Sequence, residues 1–328
     1  MTDSGKVLVT GAGGFIGSHL VEALLARGEQ VRALVRYASH GGAGWLEEVP
    51  DALRGRLEVV RGDVRDARTV TEVARGCREI HHLAALIGIP YSYAAPDAYV
   101  DVNVRGTLNV LEAARALAIP RTVVVSTSEV YGTALRVPID EDHPLQPQSP
   151  YSATKIGAES LALSYHRSFE LPVTVVRPFN TYGPRQSARA VIPTILSQVL
   201  GEGPLRIGSL DPVRDFVYVE DTAAGLIAAA RSDACVGQVV NLATGAAVSV
   251  GQLVELAQAL AGRRVVVEEL DERRRPAASE VLRLIGDAGR AARLAGWSAQ
   301  VPLERGLQRT LAWIRTHLDR FRIGVYER

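Results

Sequence analysis

The glycine-rich turn near the start of the chain restricts the possible folds more than any other sequence feature. An apolar run from Val7 to Thr10 leads directly into GAGGFIGSHL, where Gly11, Gly14 and Gly17 recur at every third position. Glycines at this spacing allow a tight turn, close backbone approach to a pyrophosphate and close packing of the next helix, whose N-terminus attracts anions. A glycine motif alone is a weak indication, but the strand before it and the helical pattern after it favour a dinucleotide-binding turn.

Beyond this turn, short runs rich in Val, Ile and Leu alternate with amphipathic stretches. Strands are predicted at VRALV, LEVVRGD, EIHHLAA, RTVVVSTS and VTVVRPFN, and helices at VTEVARG, VNVRGTLNVLEAARAL and YSATKIGAESLALSYHRSF. This order is typical of βαβ units around a parallel sheet. We therefore predict an α/β protein with a Rossmann-type doubly wound parallel sheet and a smaller C-terminal α/β substrate lobe.

The strict alternation breaks after Asn180. We expect residues 1–180 to form an NAD(P)-binding Rossmann domain, with 213–245 returning to it through DFVYVEDTAAGLIAAA and QVVNLATG. Residues 181–212 and 246–328 are then expected to form the substrate-binding lobe over the carboxyl edge of the sheet. The connection between the second and third strands, RYASHGGAGWLEEVPDALRGR, is long for this fold, and long loops in compact domains are usually functional or mobile.

Composition and charge exclude several classes of partner. The 328 residues include 37 basic and 36 acidic ones, so no strong basic field is available to capture nucleic acid or anionic lipid. No apolar run approaches the roughly 18 residues needed to span a bilayer, and MTDSGK does not resemble a secretory signal. Cys77 and Cys235 lack the spacing of a disulfide framework or zinc site, and His81 and His82 alternate faces of a strand. We expect a cytoplasmic protein with a small-molecule partner and no metal.

The end of the second strand bears on the choice of cofactor. An acid at this position selects NAD by bonding the ribose hydroxyls, but this strand ends in Val35 and Arg36. Arg36 could instead meet a 2′-phosphate, or it could be a solvated strand end, so NAD is predicted with NADP as the alternative. The other predicted cofactor contacts lie in the first helix, after the third strand and in a small-residue wall after the fourth; they are Phe15, Ile16, Asp63, Val64, Leu83, Ala84 and Ala85.

A candidate catalytic pair opens a later helix. Tyr151 and Lys155 in YSATK are four residues apart, so both side chains project from one helix face. The charge of Lys155 is expected to lower the pKa of the tyrosine and make a phenolate available near neutral pH. A lone surface Tyr-Lys pair is common, but here Ser126 and Thr127 end the preceding strand and the glycine turn comes earlier, which favours a catalytic role.

These motifs, together with RPFNTYGP and RDFVYVEDTA, resemble the extended short-chain dehydrogenase/reductase family of sugar-nucleotide epimerases, dehydratases and decarboxylases over almost the whole chain. The resemblance implies that Tyr151 takes the proton of the sugar C4 hydroxyl while hydride leaves C4 for the bound cofactor. It also implies that Thr127 and Ser126 hydrogen-bond the C4 oxygen and that Ser126, Tyr151 and Lys155 contact the cofactor, with Lys155 on the nicotinamide ribose.

Glu129, in STSEVYG, bears on which reaction of this family the chain catalyses. A ketone at C4 makes the C5 proton acidic, and a nearby carboxylate could remove that proton and drive loss of water from C6. A C4 epimerase needs no such base. Thymidine-diphosphoglucose 4,6-dehydratases carry Thr-Asp-Glu where this chain has Thr127, Ser128 and Glu129, so a serine stands at the acid position and Glu129 could serve both proton transfers.

Thr-Ser-Glu also resembles UDP-glucuronate decarboxylases, in which C6 leaves as carbon dioxide. The longer strings WLEEVP, HLAALIGIPYSY, STSEVYGTALRVPIDEDHPLQPQSPYSATKIGAE and RPFNTYGPRQSARAVIPT are most similar to 4,6-dehydratases of nucleotide-linked N-acetylglucosamine in legionaminic-acid-type pathways. A nucleotide-sugar 4,6-dehydratase is therefore predicted, with decarboxylase and C4 epimerase as enzyme alternatives. A dinucleotide-sensing binding protein is the non-enzyme alternative, which the intact Tyr-Lys pair disfavours.

The substrate end is predicted mainly by resemblance. Asn180 is expected to contact the substrate pyrophosphate, as is Arg214, whose guanidinium fork matches phosphate oxygens. Arg185 and Arg275 are weaker candidates. The helices VNVRGTLNVLEAARAL and YSATKIGAESLALSYHRSF carry more apolar surface than one sheet needs, and their counterparts in the family form a four-helix dimer interface, so a homodimer is predicted.

Overall fold

The computed structural model describes residues 5–37, 39, 41–273 and 281–321 of the chain. The strands are β1 (Lys6–Thr10), β2 (Val31–Arg36), β3 (Leu57–Gly62), β4 (Cys77–His82), β5 (Thr122–Val125), β6 (Val173–Pro178), β7 (Asn180–Tyr182), β8 (Leu205–Ile207), β9 (Val213–Arg214), β10 (Phe216–Tyr218), β11 (Val239–Leu242), β12 (Val248–Ser249), β13 (Val267–Glu269) and β14 (Arg283–Leu284). The α-helices are α1 (Phe15–Ala26), α2 (Asp51–Arg54), α3 (Ala67–Ala74), α4 (Ile89–Ala94), α5 (Pro96–Tyr99), α6 (Gly106–Ala116), α7 (Pro150–Phe169), α8 (Val191–Leu200), α9 (Val219–Arg231), α10 (Val250–Ala261), α11 (Gly289–Ala295) and α12 (Leu303–Thr316).

Seven parallel strands form the main sheet in the order β11-β6-β5-β4-β1-β2-β3. The order reverses between β1 and β4, which makes the fold doubly wound, so the predicted fold class is confirmed. Central strands are covered on both faces and therefore read as continuous apolar runs, as in the fully buried TVVV of β5. The carboxyl ends of β1, β4, β5 and β6 consequently meet at one edge of the sheet.

Helices cover both faces of this sheet. On one face, α1 and α9 pack their apolar stripes against the strands, with Leu20, Leu24 and Leu226 fully buried. On the other face, α3, α6 and α7 do the same, with Leu111 and Ala162 fully buried. None of the helices in the described part of the chain combines the length and the apolar character required to cross a bilayer.

The C-terminal half builds a second core over the carboxyl edge of the sheet. Helices α8, α10 and α12 enclose the small sheets β10-β7, β13-β8 and β12-β9-β14. Within residues 213–245, α9 packs on α1 and β11 pairs with β6, so this stretch contributes to the main sheet as well. The exact domain boundaries proposed above stay a prediction.

Two segments differ from a simple strand-helix alternation. The predicted helix VNVRGTLNVLEAARAL begins with a π-helical stretch, Val100–Arg105, before α6. There the buried amide of Asn103 accepts from Leu86 N–H (2.8 Å) and donates to Leu86 C=O (3.0 Å), and this contact accompanies the wider turn. The long connection after β2 holds a 3₁₀ turn, Gly44–Glu48, and the single-turn helix α2.

Candidate active site

The glycine turn forms a close-packed cradle between β1 and α1. Gly11 has φ +70°, and a Cβ there would lie 2.7 Å from the backbone nitrogen of Ala84. A Cβ on Gly17 would overlap the carbonyl oxygen of Gly11. The N-cap residue of α1, Gly14, has no side chain to cap the first helical N–H groups, which face the turn as donors for an anion. This geometry suits the pyrophosphate of a dinucleotide.

The predicted small-residue wall lies beside this cradle. The N–H of Leu83 donates to the Thr10 carbonyl (3.2 Å), and the N–H of Ala84 donates to the Thr10 hydroxyl (3.2 Å). Leu83, Ala84 and Ala85 are all half-buried, so they line a surface with room for a ligand. Phe15 and Ile16 start α1 and pack against the C-terminal core, while Val64 is buried after β3.

Arg36 and Asp63 meet at the outer edge of the cradle. The ends of β2 and β3 are adjacent, with Arg36 in register with Gly62. Asp63 accepts an ion pair from Arg65 at 2.6 Å, and that hydrogen bond, with a further contribution from the Arg36 charge, lowers the pKa of Asp63. The structure thus brings an arginine and an ionised carboxylate to the edge where sequence reasoning expected contacts with the cofactor.

Tyr151 lies in the first turn of α7, whose start is fixed by a capping box between Ser149 and Ser152. Its phenol is buried, with the ring of Tyr99 edge-on at a centroid distance of 6.3 Å. The Thr127 side chain and the Glu129 carboxylate are both close enough to the phenol to shift its pKa, in opposite directions. Three predicted site residues from two elements therefore converge on one point.

The electrostatics of the Tyr-Lys pair differ from the expectation. Burial raises the pKa of Tyr151, the hydrogen bond from Thr127 opposes that effect, and the Glu129 charge adds to it. Burial also lowers the pKa of Lys155 to about 8, and its Nζ donates to the Val125 carbonyl at 2.6 Å. Burial is the largest influence on both groups, and it disfavours the charged form of each.

The end of β5 supplies an unsatisfied hydroxyl. Ser126 is buried, and its Oγ has no hydrogen-bond partner among the described residues. Buried polar atoms are nearly always paired, so an orphan at a strand end next to Thr127 points to a ligand atom as the missing partner. With the glycine cradle, this orphan makes the residues present a good fit for a dinucleotide and a hydroxylated substrate.

The turn after β5 begins with a side-chain cap. The N–H of Glu129 donates to Thr127 Oγ1 at 3.2 Å, which caps the 3₁₀ turn Ser128–Tyr131. Ser128 is buried within that turn, whereas Glu129 is half-buried. The carboxylate is therefore held by backbone geometry on the same side as the Tyr151 phenol.

The predicted substrate-binding residues separate into groups. Asn180 Nδ2 donates to the Asp215 carbonyl at 3.3 Å, so Asn180 and the buried Arg214 lie in neighbouring segments. Arg185 instead pairs with Glu22 (2.8 Å) and Glu48 (3.4 Å), which commits its guanidinium to the junction with α1 and the Gly44–Glu48 turn. Arg275 lies outside the described residues.

Sequence reasoning missed several residues of this region. Tyr99 packs on Tyr151 but carries no motif signal beyond its aromatic character. His82 Nδ1 meets the Thr10 hydroxyl (2.8 Å) and Nε2 meets the Thr107 hydroxyl (3.0 Å), while His81 turns to Glu79 on the other face. The alternation of strand faces indicated that separation, but the threonine partners come from distant segments.

Known proteins resemble the chain over nearly its whole length. A family profile described as GDP-mannose 4,6 dehydratase matches residues 8–310. A dTDP-glucose 4,6-dehydratase of Streptomyces griseus is 38% identical over 322 residues, covering 95% of this chain and 94% of that protein. A UDP-glucuronate 4-epimerase of Thermodesulfobacterium geofontis (strain OPF15) is 31% identical over 323 residues, covering 96% of this chain and 98% of that protein.

Solved structures agree in fold. A crystal structure of a double mutant of DesIV, a dTDP-glucose 4,6-dehydratase from Streptomyces venezuelae with NAD bound, matches with a TM-score of 0.86 at 31% identity. The match covers 96% of this chain and 98% of that chain. Dehydratases and epimerases both occur among the relatives, so similarity alone does not choose between the two reactions.

Proposed function

The chain belongs to the GDP-mannose 4,6 dehydratase family of NAD-dependent epimerases and dehydratases, within the extended short-chain dehydrogenases/reductases, and on that premise we propose that it is a nucleotide-sugar 4,6-dehydratase. The proposed reaction converts an NDP-hexose to the 4-keto-6-deoxy sugar through transient oxidation at C4. NDP-N-acetylglucosamine is the preferred substrate class, because the resemblance of the longer sequence strings favours it.

One observation carries this proposal: the Glu129 carboxylate and the Thr127 side chain both lie close enough to the Tyr151 phenol to influence its pKa. Oxidation at C4 needs no carboxylate, because Tyr151 accepts the hydroxyl proton and Thr127 and Ser126 orient the hydroxyl. A carboxylate beside them raises the pKa of the phenol, which opposes its deprotonation, so its presence is best explained by a second proton transfer. That second transfer is expected at C5, the carbon next to the new ketone.

The first step engages the end of β5 and the start of α7. Thr127 and Ser126 orient the C4 hydroxyl, and Tyr151 accepts its proton. Bound NAD supplies the acceptor for hydride from C4 and the donor of that hydride to C6. Lys155, held by the Val125 carbonyl, is proposed to hold the nicotinamide ribose.

The second step uses the carboxylate. Glu129 takes the C5 proton, which the C4 ketone has made acidic. The electron pair of the C5–H bond forms the C5–C6 double bond as the C6 hydroxyl departs, and that hydroxyl leaves as water with the proton that Glu129 has just taken. The buried hydroxyl of Ser128 is proposed to hydrogen-bond the departing oxygen. Return of the hydride from the bound cofactor to C6 and uptake of a solvent proton at C5 would then complete the 4-keto-6-deoxy product.

A C4 epimerase is the second candidate, because relatives such as the Thermodesulfobacterium protein carry that description. A decarboxylase is the third, since Ser128 stands where a dehydratase of the thymidine-diphosphoglucose type has an acid. The three reactions differ in product mass. A dehydratase product is lighter by one water, an epimer is unchanged and a decarboxylated product is a pentose.

The test is a mass-spectrometric screen of UDP- and GDP-N-acetylglucosamine, dTDP-glucose and UDP-glucuronate in heavy water. We expect a product that has lost water and gained one deuterium at C5. An isomer of unchanged mass, or release of carbon dioxide from UDP-glucuronate, would replace the dehydratase by one of the two alternatives. Absence of turnover across the panel, with cofactor bound, would favour a dinucleotide sensor.

NAD is the proposed cofactor. Arg36 is exposed at the end of β2 and could pair with a 2′-phosphate, which would favour NADP. The neighbouring Asp63 carboxylate, however, repels a phosphate and suits ribose hydroxyls. Denaturing the purified protein and identifying the released nucleotide by mass spectrometry distinguishes the two.

A homodimer through α6 and α7 is also proposed. Leu108 and Leu161 on these helices are only partly buried, and Val100 in the π-helical stretch before α6 is 49% exposed. A second copy of the same helices would cover this apolar face. Light scattering at several protein concentrations measures the oligomeric state, and a strictly monomeric mass contradicts the proposal.

A further inference from the structure

Tyr131 ends the 3₁₀ turn that carries Glu129, and its side chain is fully buried. Its hydroxyl donates to Asn241 Oδ1 at 2.7 Å and accepts from Arg177 Nη1 at 2.8 Å. The phenol oxygen thus has both a donor and an acceptor, and both lie on strands of the main sheet, β11 and β6. Hydrogen bonds of the Tyr131 hydroxyl therefore connect the turn to two strands of the main sheet.

Arg177 continues the connection to the catalytic helix. Its Nε and Nη2 donate to the two carboxylate oxygens of Glu159 at 3.0 and 2.6 Å, in a two-pronged ion pair whose side chains are 4% and 1% exposed. Its guanidinium also lies over the Tyr131 ring, 4.8 Å from the centroid. Glu159 is four residues after Lys155 on α7, so Arg177 spans the distance between α7 and the turn.

Further hydrogen bonds, made by Asn241 and Gln146, also hold the turn. The Asn241 amide donates to the Ile139 carbonyl at 3.1 Å, and the Gln146 backbone N–H donates to the Val130 carbonyl at 2.9 Å. The Gln146 side chain donates to the Tyr131 carbonyl at 3.3 Å. The turn therefore has little freedom to move relative to either strand.

A buried ion pair is a poor source of net stability, because desolvation offsets most of the attraction and apolar residues of similar size do as well. Its hydrogen bonds are directional, however, and a misplacement of about 1 Å between reacting groups can slow a step about 100-fold. The network of Tyr131, Arg177 and Glu159 is therefore expected to contribute mainly by fixing the relative position of α7 and the turn that carries Glu129.

We propose that Tyr131 and Arg177 are positioning residues that set the Glu129 carboxylate relative to Tyr151, and so control the C5 proton transfer. This inference rests on the proposed dehydratase function. Neither residue touches substrate; both act through the placement of Glu129. C4 oxidation depends on Thr127 and Tyr151 and is expected to be far less sensitive to them.

The test is Tyr131→Phe, which keeps the ring and removes the hydroxyl. Single turnovers in heavy water separate two steps: C4 oxidation, followed by the absorbance of the reduced cofactor, and C5 proton transfer, followed by deuterium incorporation and water loss. We expect the second step to slow about 10- to 100-fold and the first to change less than about threefold. The ratio of the two rates does not depend on the fraction of folded enzyme.

Tyr182→Phe is the matched control. Tyr182 is also fully buried, and its hydroxyl donates to the Leu303 carbonyl at 3.1 Å in the C-terminal lobe. Its removal is expected to lower the melting temperature by a similar amount and leave the ratio of the two rates unchanged. Arg177→Lys is the second variant, since lysine keeps the charge but loses the fork, and it is expected to shift the ratio in the same direction as Tyr131→Phe.

The outcomes separate the two proposals. If wild-type protein dehydrates a nucleotide sugar and both variants keep its rate ratio, the positioning role is wrong while the function stands. Equal slowing of both steps also overturns it, because that result describes general damage to the site. A wild-type enzyme that only epimerises C4 overturns both, since the step that the network would serve is absent.

Discussion

Two buried ion clusters lie on the same sheet, and they differ in what they join. In the first, Arg177 on β6 links Glu159 of α7 to Tyr131 of the turn after β5. In the second, Glu79 on β4 bonds His81 at 2.6 Å and lies 3.7 Å from Arg78 and 3.9 Å from Arg231. The first touches elements that carry candidate catalytic groups, and the second does not.

Both clusters bury carboxylates almost completely, so burial alone does not mark a functional group. Their difference lies in the elements connected. Glu79 and Arg231 join β4 to α9, and neither of these elements carries a candidate catalytic group. Arg177 joins two elements whose relative placement, under the proposed function, sets where the Glu129 carboxylate meets a substrate carbon. The following predictions test that contrast.

The largest effect is expected from Glu129→Gln, which removes the base that the first cluster positions. The amide keeps the size of the side chain but cannot accept the C5 proton, so deuterium incorporation at C5 should fall by about 10²- to 10⁴-fold. C4 oxidation should survive, because Thr127 and Tyr151 are unchanged. Rapid-quench mass spectrometry measures both steps, and unchanged dehydration in this variant refutes the role of Glu129.

Arg177→Met should give the largest loss of stability. It leaves the Glu159 carboxylate buried without its partner, a situation that costs about 3–5 kcal/mol. The free energy of unfolding is measured by urea denaturation. The double variant Arg177→Met/Glu159→Leu is the control, and it should recover most of the stability because the unpaired charge is gone, without recovering the wild-type ratio of C5 transfer to C4 oxidation.

Lys155→Met should lose activity without a comparable loss of stability. Burial lowers the pKa of Lys155 to about 8, well below the unfolded value of about 10.4, so the folded state binds fewer protons between those pH values. The stability of the wild type therefore increases relative to that of the variant as pH rises from about 8 to about 10. Below pH 8 the stability of the variant is highest relative to that of the wild type. Melting temperatures across this range check the sign; a constant difference contradicts the shifted pKa.

Glu79→Gln should have the smallest effect on catalysis. Burial acts to raise the pKa of Glu79, but the hydrogen bond from His81 and the charges of Arg231 and Arg78 hold it below its usual range. A lowered carboxylate pKa contributes stability above the unfolded pKa, and this contribution disappears as pH falls through the folded pKa. The variant should therefore lose less stability than wild type on acidification below about pH 4.5, with its rate ratio unchanged. A shifted ratio would remove the contrast between the two clusters.

Local patterns predicted much of the candidate site. The three-residue spacing of Gly11, Gly14 and Gly17 predicted a close turn, and a Cβ on Gly11 would indeed meet Ala84. The position of Glu129 in STSEVYG, directly after a buried strand, predicted it as a candidate base, and the structure brings it near Tyr151. These features depend on residues near one another in the chain, or on the rule that the carboxyl ends of parallel strands lie at one edge of the sheet. They can therefore be predicted from the periodicity and spacing of the sequence.

The pKa of Tyr151 and the partners of Arg177 and Arg185 could not be read in this way. Spacing placed Lys155 on the same helix face as Tyr151, but only the packed fold shows that both groups are buried, which raises the pKa of the phenol and lowers the pKa of the ammonium. Arg185 was a candidate for the substrate pyrophosphate, yet its guanidinium lies between Glu22 and Glu48 from distant segments. Burial and long-range pairing depend on which surfaces the fold presses together.

The sequence by itself determined the doubly wound sheet, the glycine turn and the set of candidate proton-transfer groups, because side-chain alternation, backbone permissiveness and chemical type are local properties. Only the tertiary structure decided that Tyr131, Arg177 and Glu159 form one buried chain beneath those groups. The three residues come from separate segments, and the directional hydrogen bonds between them exist only when β6, α7 and the turn after β5 have packed together.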